Sequence, residues 1–306
     1  MATLRRAWGI VAAVVLSLVV WSAAAFAQQA EPTLERIYRT GVLRVGMREA
    51  APPFAFVDAS GNHAGFSVDM AYLLAEKLSE WAGKPIRVQE VTVTPATRIP
   101  AVTSGIVDIE MGSTSMTAAR ELVIDFTLPF FVSETQFIVR KDSGIRSLSD
   151  LNGKIVASAE GTTNLQALQR VVQEGWFNPA AVMTVETHAM GFLSLQQGRI
   201  DAYFTDASLL VGLRASAANP DDYVIIPEAI HLEPYGWMVP ENDSDWRDFV
   251  NHFFLWTLET GVFYEIYDKW MGPGSETEIP RSQAYEHYLQ MVRWPGLDEA
   301  WPGRRQ

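Results

Sequence analysis

Cysteine is the first thing missing from this 306-residue chain, which contains none. Its absence excludes disulfide bonds, thiolate metal ligands and cysteine nucleophiles, and it also excludes a lipid anchor attached to an N-terminal cysteine. Basic residues are scarce as well: 24 lysines and arginines accompany 36 aspartates and glutamates, which gives a formal net charge of −12. Proteins that bind nucleic acid usually show the opposite balance, so we expect no nucleic-acid partner.

Motifs of catalysis and of metal binding are missing too. The sequence has no G-x-S-x-G, no P-loop and no H-E-x-x-H, and its five histidines never stand at the spacing of metal ligands. We therefore expect no metal, no cofactor and no enzymatic activity.

Long apolar runs are confined to the N-terminus. Two arginines precede an apolar stretch from Gly9 to Ala25, and Ala25–Ala27 has the small-x-small pattern of a cleavage site. The stretch is short for a membrane span and the cleavage site follows it directly, so we interpret residues 1–27 as a secretory signal peptide rather than an anchor. We expect the mature protein to be a free, soluble occupant of an exported compartment.

One pattern occurs twice in the chain. Ser104–Ser113 reads SGIVDIEMGS, and Gln197–Asp206 reads QGRIDAYFTD. In each, a helix ends at a glycine able to adopt positive φ, a β-rich run follows, and a polar residue comes eight positions after the glycine. Since the carboxyl ends of strands face the ligand crevice in open α/β sheets, this predicts two α/β lobes that present Ser113 and Asp206 to a shared cleft.

Strand-like and helix-like segments alternate along the rest of the chain, which is typical of βαβ units with parallel sheets. Thr33–Thr40 is predicted as a helix that ends at Gly41. A longer amphipathic helix is predicted to run to about Trp81, with Ser67 as its N-cap residue.

No low-complexity linker separates the two halves. Extended strands near Ser133–Gln136 and Pro234–Trp237 are therefore predicted to cross between the lobes. On this prediction the first lobe comprises residues 28–135 and 234–306, and the second comprises residues 136–233.

Polar residues near the end of the first repeated unit are suited to holding a carboxylate. Ser113 and Ser115 follow the predicted strand, and Arg120 comes five residues later. A guanidinium can bind a carboxylate with two parallel hydrogen bonds, while hydroxyl and backbone N–H groups satisfy the other lone pairs. A surface ion pair is the alternative role for Arg120.

The second half of the chain offers partners for both ends of a zwitterion. Thr162 and Thr163 follow Gly161 at the start of a predicted helix, where free N–H groups and the positive end of the helix dipole favour an anion. Asp206 is suited to an ammonium group. Helix capping is the alternative role for Thr162 and for Asp206.

Taken in order, these segments resemble the periplasmic amino-acid-binding proteins of ABC importers, the solute-binding proteins of family 3. The resemblance extends from about Thr33 to Met271 and rests on TLERI at 33–37, GVLRVG at 41–46, GFSVD at 65–69, Arg120 with DFTLPF at 125–130, GTT at 161–163, and residues 198–206. It implies an α/β fold of two lobes, a type II periplasmic binding protein, joined by two crossing strands with the ligand cleft between them. It also implies a monomer that passes an amino acid to a membrane permease.

The resemblance assigns roles to the polar residues. In the family, an arginine at the position of Arg120 holds the ligand α-carboxylate, and an acid at the position of Asp206 receives the α-ammonium. Further donors are implied at four positions: Ser113, Ser115, Thr162 and Thr163.

Two other arginines indicate the ligand type. Receptors for basic amino acids carry an acid at the position of Arg48, so a positive residue there inverts the preference. Arg48 and Arg98 resemble the residues that face the side-chain carboxylate in glutamate/aspartate receptors, and His188 matches a histidine of that subgroup. The resemblance thus implies glutamate, aspartate or another small dicarboxylate. Surface or inter-lobe ion pairing is the alternative role for both arginines.

Some residues depart from the family pattern and leave alternatives open. Ala51 stands where many relatives have an aromatic residue, and Trp237 also differs from the glutamate/aspartate pattern. The same fold hosts cyclohexadienyl dehydratases, which act on prephenate or arogenate; in that case Glu49 or Glu160 would be the candidate acid. A receptor that presents its ligand to a membrane sensor is a further alternative. The segment Ser282–Gln306 lies outside the resemblance.

Overall fold

The computed structural model describes residues 31–294, 297, 301–303 and 305, so the predicted signal peptide lies outside the described residues. The α-helices are α1 (Thr33–Thr40), α2 (Phe66–Ala82), α3 (Arg98–Thr103), α4 (Thr163–Gln173), α5 (His188–Gln196), α6 (Ala207–Ala215), α7 (Ser244–Thr260), α8 (Val262–Met271) and α9 (Gln283–Met291). The strands are β1 (Val42–Arg48), β2 (Ala50–Ala51), β3 (Ala55–Val57), β4 (His63–Ala64), β5 (Arg87–Val93), β6 (Ile109–Glu110), β7 (Asp125–Phe126), β8 (Phe131–Arg140), β9 (Ile155–Ala159), β10 (Ala181–Val185), β11 (Ala202–Asp206), β12 (Tyr223–Ile225), β13 (Leu232–Tyr235) and β14 (Met238–Val239).

The first lobe is built on a five-stranded sheet with the strand order β5–β1–β6–β14–β7. β1 pairs in parallel with β5 and β6, whereas β14 returns antiparallel from a distant part of the chain. The larger core joins Leu43, Val45 and Met47 of β1 to the apolar sides of α2, α7 and α8. A small antiparallel sheet, β2–β3–β4, extends this lobe just after β1.

The second lobe has its own sheet, with the order β10–β9–β11–β8–β12. Phe137 and Val139 of β8 pack into one core with α4, whereas Ile138 packs into another core with α5 and α6. Successive side chains of a strand point to opposite faces, so the same strand contributes to both cores. Helices therefore cover both faces of this sheet, as is usual for α/β proteins.

Two crossing strands connect the lobes. β8 begins at Phe131 in the larger core of the first lobe and continues into the second sheet, and β13 returns antiparallel beside it, with Leu232 opposite Glu134. The predicted fold of two α/β lobes joined by two crossing strands is confirmed. Among the described residues, no helix combines the length and apolarity that a bilayer span needs.

The start of α2 differs from its prediction. The N-cap position is occupied by Gly65, and Ser67 lies inside the first turn, where its hydroxyl donates to Gly112 O at 3.4 Å. A Cβ at position 65 would overlap Phe54 O, so only glycine fits where the chain passes this close to its own backbone. The prediction of Ser67 as the cap is wrong because a tertiary contact, rather than capping preference, decides where the helix begins.

Candidate functional site

The two repeated units end at polar residues that come from different lobes. Gly105 and Gly198 both adopt a φ of 68°, the left-handed conformation that the pattern predicts. Ser113 follows β6, and Asp206 is the last residue of β11; each of these strands runs parallel to a neighbour in its own sheet. Both side chains are buried. The common pattern therefore produces the same glycine conformation twice and, eight positions later, a buried polar residue.

The predicted site residues are almost all buried. Eight of the nine are at most 9% exposed: Arg48, Arg98, Ser113, Ser115, Arg120, Thr162, His188 and Asp206. The ninth, Thr163, is partly exposed. A buried charge is costly unless it is paired, so the surroundings of each charged group determine what the site can hold.

A hydrogen-bond relay links Arg98 to a buried acid. Arg98 is the first residue of α3, and its Nη1 donates to Thr114 Oγ1 at 2.6 Å and to Ser113 O at 3.5 Å. Thr114 Oγ1 in turn donates to Glu110 Oε2 at 2.8 Å. Burial lowers the pKa of Arg98, and the negative charges of Glu110 and Asp206 oppose that change. The relay therefore holds the guanidinium in one orientation.

Arg48 shares the same buried acid. It is the last residue of β1 and is 2% exposed. Burial lowers the pKa of Arg48 to about 9; the like charge of Arg98 adds to this change and Glu110 opposes it. A Cβ at Gly112 would lie 2.5 Å from Glu110 Oε1 and 2.9 Å from Arg48 Cγ, so both side chains run across that glycine. Arg48, Arg98 and Glu110 thus form an arginine–glutamate cluster in the first lobe.

Arg120 connects the two lobes. Its Nη1 donates to Ser115 O at 2.6 Å, and its Nη2 donates to Gly161 O at 3.2 Å. Burial lowers the pKa of Arg120 to about 9, with a further decrease from Arg98 and an opposing effect of Glu233. A guanidinium has five N–H groups, so these two bonds leave others to hold a carboxylate.

The hydroxyl groups of the site have two different roles. Thr162 caps α4: its Oγ1 donates to the backbone O three residues before it, at 2.7 Å, and accepts from the backbone N three residues after it, at 3.0 Å. Thr163 Oγ1 donates to Ser115 Oγ at 3.2 Å, a contact between the lobes. Ser113 Oγ is buried and has no hydrogen-bond partner within the part of the chain that the structure describes. The capping alternative therefore accounts for the hydroxyl of Thr162.

His188 is a neutral buried imidazole. It begins α5 and is 2% exposed, with its Nδ1 2.8 Å from Tyr203 Oη. Burial, followed by the positive charges of Arg48 and Arg98, holds the pKa of His188 well below its usual value. Tyr203 reaches the ring because α5 carries Gly191, where a Cβ would overlap the tyrosine ring.

Asp206 is a buried acid that does not cap its helix. It stands at the N-cap position of α6, yet its side chain makes no capping hydrogen bond. Burial and then the charge of Glu233 raise the pKa of Asp206 to about 7, against hydrogen bonds from Tyr235 and Asn164. Its Oδ1 has no hydrogen-bond partner among the described residues. The capping alternative is not realised, and the carboxyl group is available to a cation.

A second acid, Glu233, comes from the crossing strand β13. Its side chain is 3% exposed, and its Oε1 lies 2.7 Å from His231 Nε2. Burial alone would raise the pKa of Glu233, but His231 and the hydroxyls of Ser115 and Thr163 lower it below its usual value. Glu233 therefore lies close both to Asp206 and to the hydroxyl pair that joins the lobes.

Sequence reasoning missed Glu110 and Glu233, because a single acid on a short strand resembles a surface residue. A clue to Glu110 was present in the repeated pattern. It comes five residues after Gly105, and the equivalent position after Gly198 is Tyr203, which is fully buried. An acid at an inward-facing position of a strand indicates a charge partner nearby. Nothing comparable in the sequence marks Glu233.

Other residues considered from the sequence lie elsewhere. Glu49 and Glu160, the candidate acids of a dehydratase, are both exposed. Ala51 is fully buried on β2, which packs against α5 and α6 of the second lobe. Trp237 lies in the larger core and stacks on Phe130 with ring centroids 4.8 Å apart. Within residues 31–294 and the few described beyond them, no three or more His, Asp or Glu side chains come together as a metal site would require.

The lobes meet backbone to backbone on either side of these residues. A Cβ at Gly161 would lie 2.8 Å from Ala96 Cα, and a Cβ at Gly212 would lie 2.5 Å from Pro52 O. Both glycines belong to the second lobe, and both neighbours belong to the first. The structure is therefore a closed arrangement of the two lobes. Any side chain at these two glycines would clash with the backbone of the first lobe.

Comparison with known proteins gives a consistent match. The family described as bacterial extracellular solute-binding proteins, family 3, matches residues 43–273. The L-glutamate/L-aspartate-binding protein of Pseudomonas aeruginosa is 32% identical over 251 residues, which are 81% of this chain and 83% of that protein. A solved structure of a mutant of ArgBP from T. maritima has a TM-score of 0.68 at 30% identity and covers 78% of this chain and 98% of that one. The ancestral amino acid-binding protein AncCDT-1, a precursor of cyclohexadienyl dehydratase, has a TM-score of 0.66 at 29% identity and covers 78% and 99%.

Proposed function

The chain belongs to family 3 of the bacterial extracellular solute-binding proteins, and we propose that it is a periplasmic receptor for an acidic amino acid. In this proposal it captures glutamate, aspartate or a similar dicarboxylate and delivers it to the membrane permease of an ABC importer. The name of the relative from Pseudomonas aeruginosa, an L-glutamate/L-aspartate-binding protein, supports this ligand class.

The arginine–glutamate cluster carries the proposal. An acidic amino acid has two carboxylates and one ammonium group, and a receptor must compensate all three when it buries them. Arg120 lies at the junction of the lobes with Asp206 and Glu233 nearby, while Arg48 and Arg98 add a second positive region. Three adjoining arginines, with Asp206 and Glu233 beside them, supply the charges that the two carboxylates and the ammonium group of a dicarboxylic amino acid need.

At the main-chain end of the ligand, Arg120 holds the α-carboxylate with the N–H groups that it does not donate to the lobes. The unpartnered Ser113 Oγ is a supporting donor, and the hydroxyls of Ser115 and Thr163, which bond to each other and to Glu233, line this end of the cleft. Thr162 contributes its backbone N–H, since its hydroxyl caps the helix. Asp206 receives the α-ammonium.

At the side-chain end, Arg48 and Arg98 bind the second carboxylate and His188 adds a neutral donor. A Tyr203 hydroxyl that donates to His188 Nδ1 leaves the ring proton on Nε2, so the uncharged imidazole can still donate. Charge-assisted hydrogen bonds of this kind are about twice as strong as neutral ones, which favours a carboxylate over an amide side chain.

The mechanism is capture by closure. Arg48, Arg98 and Arg120 belong to the first lobe and Asp206, His188 and Thr163 to the second, so a ligand touches all of them only when the lobes are together. Ligand binding then shifts an equilibrium between open and closed forms, because only the closed form makes both sets of contacts. Binding rather than dehydration is favoured because Glu49 and Glu160, the acids considered for catalysis, are exposed.

A thermal-shift screen of the common amino acids, followed by calorimetry, tests this function. A ligand that binds only the folded state raises the melting temperature, so L-glutamate or L-aspartate should give the largest rise. L-Arginine and L-lysine, at the same concentration, should give none. The proposal would be contradicted if a basic or an apolar amino acid raised the melting temperature most, or if the protein converted prephenate or arogenate.

A further inference from the structure

Glu110 contacts no ligand in the binding scheme above, yet it is fully buried beside the side-chain end of the cleft. It lies on β6, opposite Gly46 of β1 in the parallel register. Its Oε2 accepts from Thr114 Oγ1 at 2.8 Å, and its Oε1 has no hydrogen-bond partner within the described part of the chain. A carboxylate buried this deeply needs positive charge nearby, so its neighbours determine its role.

Those neighbours are the two arginines assigned to the ligand side chain. Glu110 Oε1 and Arg48 Cγ both lie against the space a Cβ at Gly112 would fill, and Arg98 reaches Glu110 through the hydroxyl of Thr114. The charge of Glu110 opposes the lowering of the pKa of both arginines. Two guanidinium groups and one carboxylate therefore leave the cluster with a single net positive charge.

We propose that Glu110 is a specificity-determining positioning residue, an inference that rests on the proposed function. Its carboxylate reduces the charge at the side-chain end of the cleft to one, and through Thr114 it orients Arg98. A ligand side chain with one negative charge then leaves the side-chain end of the closed cleft electrically balanced. A side chain with two negative charges leaves one negative charge buried without a partner. An amide side chain leaves one positive charge buried without a partner.

The substitution Glu110→Gln tests the charge while keeping the shape and a hydrogen-bond acceptor. The probes are L-glutamate and O-phospho-L-serine, whose side chain has a similar length but carries nearly two negative charges at pH 7.5. In the wild type, glutamate should bind more tightly. In Glu110→Gln, the affinity for phosphoserine relative to glutamate should rise tenfold or more, measured by calorimetry. A ratio within threefold of the wild type, with glutamate still bound, would overturn the role of Glu110 and leave the proposed function standing.

Two further variants separate charge from geometry. Thr114→Val breaks the relay without changing charge, so it should weaken both ligands and leave their ratio within threefold. Glu76→Gln makes the same formal change at an exposed acid of α2, and it should change neither affinity nor ratio. A shift of the ratio in either control as large as that in Glu110→Gln would contradict the proposal.

A double variant keeps the test decisive if Glu110→Gln does not fold. Arg48→Met combined with Glu110→Gln restores a single positive charge, so its ratio of phosphoserine to glutamate affinity should return to within threefold of the wild-type value. A ratio changed tenfold in that double variant would overturn the charge-matching role. A wild-type protein that binds neither glutamate nor aspartate would overturn the proposed function itself, and with it this inference.

Discussion

The side chains of Arg48, Arg98 and Arg120 are at most 9% exposed, and Arg98 and Arg120 have different hydrogen-bond partners. Arg98 reaches Glu110 through Thr114, whereas Arg120 donates to backbone carbonyls of both lobes. Removing one partner from a buried charge pair costs about 2–5 kcal/mol, largely because the other charge is left unpaired. When an arginine is replaced, affinity should fall most for ligands that carry the group it binds. Comparing ligands therefore identifies the group that each arginine binds.

Arg98→Met should reduce the preference for glutamate over glutamine by tenfold or more. A charge-assisted hydrogen bond contributes about 1.5–3 kcal/mol, and about 1.4 kcal/mol corresponds to a tenfold change in affinity. Calorimetric titration with both amino acids measures the ratio. Arg120→Ala is the matched control and should weaken both ligands in similar proportion, because both carry an α-carboxylate. Equal weakening of both by Arg98→Met would mean that Arg98 does not bind the ligand side chain.

Glutamate affinity should increase about tenfold between pH 6 and pH 8, because Asp206 must lose its proton before it pairs with an ammonium group. Glu233, Tyr235, Asn164 and His231 act on its carboxyl group, Arg98 and Arg120 lie within electrostatic range, and its pKa is about 7 in the ligand-free closed form. Calorimetry at pH 6 in two buffers of different ionisation enthalpy should show the release of nearly one proton per ligand. In Asp206→Asn, binding should be weaker and most of this pH dependence should be lost.

The raised pKa of Asp206 has the opposite effect on the ligand-free protein. Its contribution to the free energy of unfolding is fully present below the unfolded value of 3.8 and is lost as the pH rises through about 7. The wild type should therefore lose free energy of unfolding relative to Asp206→Asn as the pH rises from 4 to 8. A difference that is constant over this range would contradict the assignment.

Helices and strands were predicted well where local residues decide their ends. α1 spans Thr33–Thr40 as predicted, because a glycine follows it directly. α2 was predicted with the wrong cap, since the approach of Gly65 to Phe54 depends on the tertiary fold. Short-range patterns thus predict an element, whereas its termini depend on contacts that the pattern does not contain.

Helix α5 owes its position in the site to one glycine. Gly191→Ala should lower the free energy of unfolding by about 1–3 kcal/mol, because the new methyl group overlaps Tyr203 and overpacking of a buried ring outweighs the better helix propensity of alanine. The displaced tyrosine would also lose its bond to His188. Urea denaturation measures the effect, with Gln196→Ala at an exposed position of the same helix as the control. Equal stability of the two variants would contradict this packing.

The site itself was only partly predictable. Arg48, Arg98 and Arg120 could be proposed from the sequence because a guanidinium is suited to a carboxylate and because their motifs resemble a known family. Glu110 and Glu233 are acids whose significance depends on burial next to those arginines, and burial is a property of the folded chain. Their charges oppose the lowering of the arginine pKa values, so the part that the sequence did not predict is the electrostatic balance around the arginines.

At the scale of the whole molecule, closure depends on the absence of side chains. Gly212→Ala would place a methyl group 2.5 Å from Pro52 O in the closed arrangement. Since alanine favours a helix, the free protein should be at least as stable as the wild type. Small-angle scattering with saturating glutamate should show compaction in the wild type and less in the variant, with affinity reduced tenfold or more.

Gln169→Ala, at an exposed position of α4, is the control for this closure experiment and should compact as the wild type does. Full compaction of Gly212→Ala with unchanged affinity would mean that the lobes do not approach at this point. Unchanged scattering of the wild type itself, with bound glutamate shown by calorimetry, would remove closure from the mechanism.

Arg120 holds both lobes at once, through Ser115 O on one side and Gly161 O on the other. Under the proposed function the guanidinium that binds the ligand also joins the two lobes in the closed form. The ligand therefore cannot leave until the hydrogen bonds between the lobes break. The same opening step then determines the residence time of the ligand and the lifetime of the closed form. In delivery to a permease, the contact that separates the lobes sets the moment of release, and the dissociation rate measured in solution reports how slowly the lobes separate without that contact.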